Sequence, residues 1–116
     1  MISHGVHHVS INVDDLDAGR RFYVDSLGLA EIDRPELNVG GVWLQVGSQQ
    51  IHLIELPPPP ALGQHFSLLV DDLDTALAAL ADRNVEIDRM GGIAGVCRQA
   101  FLSDPAGNLI ELTEPV

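Results

Sequence analysis

Two stretches of this chain are near copies of one another. His8 to Asp17 reads HVSINVDDLD and His65 to Asp74 reads HFSLLVDDLD. Identical residues stand at His8/His65, Ser10/Ser67, Val13/Val70, Asp14/Asp71, Asp15/Asp72, Leu16/Leu73 and Asp17/Asp74. A match this dense at one fixed offset means two copies of one supersecondary unit. Each copy opens on a histidine at the head of an alternating strand, then passes through a carboxylate pair into a helix.

The ends of the copies match as well, at an offset two residues larger. Ile51-His52-Leu53-Ile54-Glu55 aligns with Ile110-Glu111-Leu112-Thr113-Glu114. Strand periodicity of two puts His8, Ser10 and Asn12 on one face and Val9, Ile11 and Val13 on the other. By the same rule His65, Ser67, His52 and Glu111 fall on the face away from the helices. Ile51, Leu53, Ile110 and Leu112 face the helices. His8, His52, His65 and Glu111 therefore form a symmetric set on one sheet surface. Three imidazoles and a carboxylate suit one divalent metal per chain, whether zinc, nickel, iron or manganese.

The other polar residues take plainer readings. His4 lies in the N-terminal stretch and His7 points to the helix side. Asp14, Asp15, Asp71 and Asp72 read as helix caps, and Glu55 and Glu114 as solvated strand ends. Cys97, the single cysteine, reads as a small buried or half-buried residue, with pocket lining the alternative. Ser10 and Ser67 share the ligand face. Trp43, Gln45, Arg98 and Phe101 lie on the inner strands of the hairpins and are candidates for a substrate pocket. Among them Arg98 offers the cation an anionic substrate would need.

The coarse pattern predicts an α+β chain made of two βαβββ units, residues 4–56 and 63–114, joined by a Pro-rich linker at 57–62. In the first unit a strand over 6–13 leads to a helix ended by Gly28. A strand over 29–34, a loop over 35–41 and a hairpin over 42–56 follow. Pro57 to Pro60 is extended and semi-rigid. In the second unit Leu73, Ala76, Leu77, Leu80 and Ala81 follow helical spacing. A strand is expected over 85–89, a flexible loop over 91–95, and a hairpin around Asp104-Pro105-Ala106-Gly107-Asn108.

A length of 116 residues is one domain's worth. With 46% hydrophobic residues the chain can bury a core. The formal net charge is −11, and all six cations are arginine. That balance excludes nucleic acid and anionic membrane as partners, since both need basic patches. No apolar run approaches the ~20 residues of a membrane helix, and no signal peptide is evident. A lone cysteine forbids an internal disulfide, consistent with a cytoplasmic protein.

HHVSINVDDLDAGRRFYVDSLGL, GVWLQVGSQQIHLIE and AFLSDPAGNLIEL resemble the vicinal-oxygen-chelate superfamily. This group includes glyoxalase I, methylmalonyl-CoA epimerase, fosfomycin-resistance enzymes, extradiol dioxygenases and metal-free bleomycin-binding proteins. The resemblance runs from His7 to Thr113. It implies two βαβββ units forming an open, partly barrel-like mixed sheet with helices on the outer face, often completed across a homodimer. Carried over by motif, the family's metal ligands fall on His8, His52, His65 and Glu111, the set already reached by symmetry. One departure stands out: His52 occupies a place where glyoxalases and epimerases usually carry glutamate or glutamine.

The chemistry implied is chelation of two vicinal oxygens of a small-molecule substrate by a divalent metal acting as Lewis acid. The expected activity is that of a metal-dependent lyase or isomerase of the glyoxalase I type, with Glu111 also the general base. The alternatives are an extradiol-type dioxygenase on two histidines and one carboxylate, a thiol transferase, and a metal-free protein that binds a small molecule such as an antibiotic.

Overall fold

The computed structural model describes all of Met1–Val116. The chain divides into two compact units, Met1–Pro59 and Pro60–Val116. Each is an α+β unit with one open, four-stranded mixed sheet.

In the first unit β1 (His8–Val13), β2 (Ala30–Ile32), β3 (Gly41–Val46) and β4 (Gln49–Glu55) make a sheet of order β1-β4-β3-β2. β1 pairs parallel to β4, and the other pairings are antiparallel. The parallel pair needs a crossover, which the helical segment after β1 provides. Helix α1 (Leu16–Arg20) begins at Asp15, whose side chain accepts from the Ala18 amide at 3.0 Å. This satisfies one of the orphan donors of the first turn.

The sequence pattern predicts one continuous α-helix ending at Gly28. The chain instead passes at Arg21–Ser26 into a π-helical turn. Wider turns of this kind shift the side-chain phase. Here two consecutive aromatics, Phe22 and Tyr23, are both buried, and their rings meet edge to face. Gly28 does close the segment, with φ of 76°.

The second unit repeats the plan. β5 (His65–Leu69), β6 (Arg89–Ile93), β7 (Cys97–Ser103) and β8 (Leu109–Pro115) are ordered β5-β8-β7-β6. Helix α2 (Leu73–Asp82) follows the predicted spacing and buries Leu73 and Leu80. Asp72 accepts from the Thr75 amide at 3.1 Å, and that backbone hydrogen bond holds its carboxyl below the usual range. Glu114, expected to be a solvated strand end, instead accepts from the Leu73 amide at 2.9 Å. It thus ties the end of the sheet to the start of the helix.

One strand moved. The expected strand over 85–89 and glycine loop over 91–95 are replaced by β6 at Arg89–Ile93, which takes in both Gly91 and Gly92. Glycine pairs read as loop by propensity, yet these two pair with Gln99 and Arg98. A Cβ at Gly92 would stand 3.1 Å from the Cys97 carbonyl oxygen. A close backbone approach of this kind is what glycine in a strand often marks.

The core of each unit lies between helix and sheet. Val13, Val42, Leu44, Ile51 and Leu53 are buried in the first, and Ala100, Leu102, Ile110 and Leu112 in the second. The apolar half of each alternating strand is thereby consumed by the helix, and the histidine-bearing half is left on the other face. No helix is long and apolar enough to cross a membrane.

Candidate metal and substrate site

The register explains which side chains meet. In the first unit His52 lies between Ser10 on β1 and Trp43 on β3. In the second, Glu111 lies between Ser67 on β5 and Phe101 on β7. The repeat predicted from sequence is thus preserved in cross-strand neighbours. His52 and Glu111 are buried polar residues, 8% and 7% exposed.

In the second unit His65 and Glu111 meet directly. His65 Nδ1 lies 2.8 Å from the Gly63 carbonyl oxygen. A carbonyl can only accept, so Nδ1 donates, and Nε2 is a lone pair on a neutral ring or a second N–H on a charged one. This Nε2 faces Glu111 Oε1 at 3.2 Å. Two acceptors face to face need a positive charge between them, either a second proton on the ring or a cation. Two donors to one metal at about 2.0–2.1 Å lie roughly 3.0–3.4 Å apart in octahedral or tetrahedral geometry, so the spacing fits a shared ion. Outer hydrogen bonds of the Nδ1–H to carbonyl type are also what orients metal-bound histidines.

Glu111 is further held by Ser67 Oγ at 3.0 Å, Gln99 Nε2 at 3.2 Å and the Thr113 hydroxyl, all on Oε2. Burial pushes its pKa up. The hydrogen bonds from Thr113, Ser67, His65 and Gln99 outweigh burial and hold the carboxyl below its ordinary value.

The first unit is arranged differently. His52 is stacked between two rings: His8 at 4.0 Å and 15°, Trp43 at 4.3 Å and 9°. Its Nε2 lies 2.8 Å from Gln50 Oε1. Burial, then the charges of His8, His7 and Arg34, lower its pKa and so favour the neutral ring that a ligand needs. A nitrogen lone pair lies in its ring plane, however. With the ring centroids 4.0 Å apart and the planes only 15° from parallel, the two in-plane lone pairs do not converge on one point. His8 and His52 have the right donor chemistry, but one ring must turn before both can bind one ion. No group of three or more His, Cys, Asp or Glu with metal-holding geometry is present.

Three side-chain placements differ from the sequence reading. Arg98 does not share the face of Glu111. It pairs with Asp74 of α2 at 2.8 Å and Glu114 at 3.4 Å, because strand alternation puts it beside Ala100 and Leu102. Gln99, which sequence reasoning passed over, takes the pocket side. Its signal was available: it is two residues from Phe101 and so shares that face. His7, expected on the helix side, turns its Nδ1 to within 2.8 Å of His8 Nδ1. Gln45 shares the face of Trp43 but donates to Gly47 and Gln49 carbonyls of its own turn. Phe101 lies on the ligand face, edge-on to His65, with the Arg89 guanidinium 3.8 Å from its ring centroid.

The fold agrees with what comparison with known proteins finds. The family model described as the Glyoxalase/Bleomycin resistance protein/Dioxygenase superfamily matches residues 5–112. The chain belongs to this superfamily. The protein YaeR of Escherichia coli K12 is 31% identical over 122 aligned positions, covering 94% of this chain and 95% of that protein. A glyoxalase family protein from Bacillus anthracis matches with a TM-score of 0.91 at 27% identity, covering 100% of this chain and 98% of that one. The lactoylglutathione lyase of Agrobacterium tumefaciens matches at 0.80 and 25%, covering 98% and 96%. TnmS3, an antibiotic binding protein from Streptomyces sp. CB03234, matches at 0.81 and 28%, covering 100% and 99%.

Proposed function

We propose that this chain is a metal-dependent lyase or isomerase of the glyoxalase I type. Its small substrate would chelate the metal through vicinal oxygens. The observation that carries this reading is His65 Nε2 facing Glu111 Oε1 at 3.2 Å, the spacing of two ligands on one ion. His8, His52, His65 and Glu111 would hold the ion, with His52 contributing after a ring in the stack has turned. The bound metal supplies Lewis acidity toward the chelated oxygens.

The chain's own residues do the rest. Ser10 and Ser67 offer hydroxyls beside the ligands, and the rings of Trp43 and Phe101 supply apolar walls. Glu111 is the only acidic residue of the proposed ligand set, so proton transfer from an acidified C–H falls to it. The reading is tested by element analysis of protein purified without chelator. About one divalent metal per chain is expected; a protein that stays empty after loading with zinc, nickel, manganese and iron would refute it.

A second reading draws on the His8–His52–Trp43 stack, an aromatic surface suited to a planar ring. On that reading the chain binds a small planar molecule and catalyses nothing, as the similarity to an antibiotic binding protein allows. An extradiol-type dioxygenase or a thiol transferase on the same scaffold has no specific observation in its favour here.

We also propose a homodimer, on the family's habit of completing its cavities with units from two chains. Light scattering at micromolar concentration should return twice the mass of the 12.5 kDa chain; a monomer alone would refute the dimer.

A further inference from the structure

We infer that Gln99, Ser67 and Thr113 are positioning residues that hold Glu111 as a single-oxygen metal ligand. The inference rests on the metal-site reading above. All three donors converge on Oε2, while Oε1 meets only His65. A carboxylate oxygen in this setting has its lone pairs filled, so Oε1 is left as the one position for a cation. With Oε2 anchored, the carboxylate cannot rotate to chelate through both oxygens.

The proton count makes Gln99 the firmest of the three. Ser67 and Thr113 also touch each other, so two hydroxyl protons serve three close contacts. The Gln99 amide brings its own N–H and does not take part in that sharing. Register puts the three residues in reach: Ser67 is opposite Glu111, and Gln99 is opposite Thr113 two positions along.

The repeat supplies an independent check. The first-unit counterparts of Gln99 and Thr113 are Gly41 and Ile54, paired in the same relation beside His52. Neither has a side-chain donor. Gln99 and Thr113 therefore accompany the anionic ligand alone, while Ser67 has the counterpart Ser10 opposite the neutral one. A generic strand-stabilising role would give no reason for that difference.

The test compares zinc affinity by competition with a chromophoric chelator in wild type, Gln99→Leu, Thr113→Val and Thr113→Ser. Arg98→Leu, on the opposite face of the same strand, is the control. Loss of an outer-shell partner should weaken zinc binding about 10- to 100-fold in Gln99→Leu and Thr113→Val. Thr113→Ser should restore it and Arg98→Leu should leave it unchanged. The visible spectrum of the cobalt-loaded protein should change in Gln99→Leu, because losing one of three donors loosens the hold on Oε2. Both main substitutions keep strand-compatible side chains, and circular dichroism checks that each variant is folded. Wild-type zinc affinity in folded Gln99→Leu and Thr113→Val, with binding lost in Glu111→Ala, would overturn this inference and leave the metal site standing. A wild-type chain that takes up no zinc would overturn both.

Discussion

Glu111→Ala is expected to abolish stoichiometric zinc binding, a larger loss than the 10- to 100-fold of an outer-shell change. Glu111 is the only anionic member of the proposed ligand set, and its carboxyl is held ionised by hydrogen bonds that outweigh its burial. Its removal also leaves Ser67, Gln99, Thr113 and His65 Nε2 without their shared partner. His8→Ala is expected to lose metal too. His52→Ala is the informative member of the series. As a fourth ligand it should weaken binding severely, while His52→Glu should retain it. If His52→Ala keeps full metal while His8→Ala and Glu111→Ala lose it, the four-ligand site is wrong. A site of two histidines and one carboxylate, with oxygen chemistry, then becomes the better reading.

The stack gives this experiment a second readout. Chelation by both His8 and His52 requires a ring to leave the near-parallel arrangement. Trp43 is the only tryptophan and lies against His52, so its emission should change when zinc loads the wild type. In His52→Ala that change should be absent. Zinc uptake with unaltered Trp43 emission would mean that the stack survives, and with it the metal-free reading of the first unit.

Leu44→Ala and Leu102→Ala should carry the largest losses of stability, each about 3 kcal/mol, within the 2–5 usual for buried leucine. Both are fully buried between sheet and helix. They also hold matching places in the repeat, Leu44 opposite Ile51 and Leu102 opposite Ile110. The equivalent surroundings should make the two costs similar. Leu69→Ala, at a position 74% exposed, should stay within about 0.5 kcal/mol. Chemical denaturation of the three variants measures all of this. A Leu102→Ala cost below that of Leu69→Ala would contradict the layering described above.

How far the chain could be read before its structure turns on the range of each signal. The repeat, the alternation of β1, β4, β5 and β8, and the spacing of α2 are local patterns. They carry their own phase, so they placed His8, Ser10, His65, Ser67, His52 and Glu111 on the face opposite the helices. A carboxylate cap before each helix was legible for the same reason, though only the structure selects Asp15 and Asp72 over Asp14 and Asp71. What stayed hidden depends on partners distant in sequence. β6 runs through Gly91-Gly92 because pairing with β7 overrides glycine's weak strand propensity. The π turn at Arg21–Ser26 follows from burying Phe22 and Tyr23 together.

Arg98 was misread because the phase of β7 is fixed only by its pairing with β8, and a shift of one residue moves every side chain to the other face. The same pairing brought Gln99 to Glu111. Composition and symmetry determined which donors exist and on which surface. Only the tertiary structure decided their orientation. It aimed Nε2 of His65 at Glu111 through a bond to the Gly63 carbonyl, and it laid His8 flat on His52. Ring orientation depends on side-chain torsions and on neighbours such as Gly63, Gln50 and Trp43, and no periodicity in the sequence encodes those.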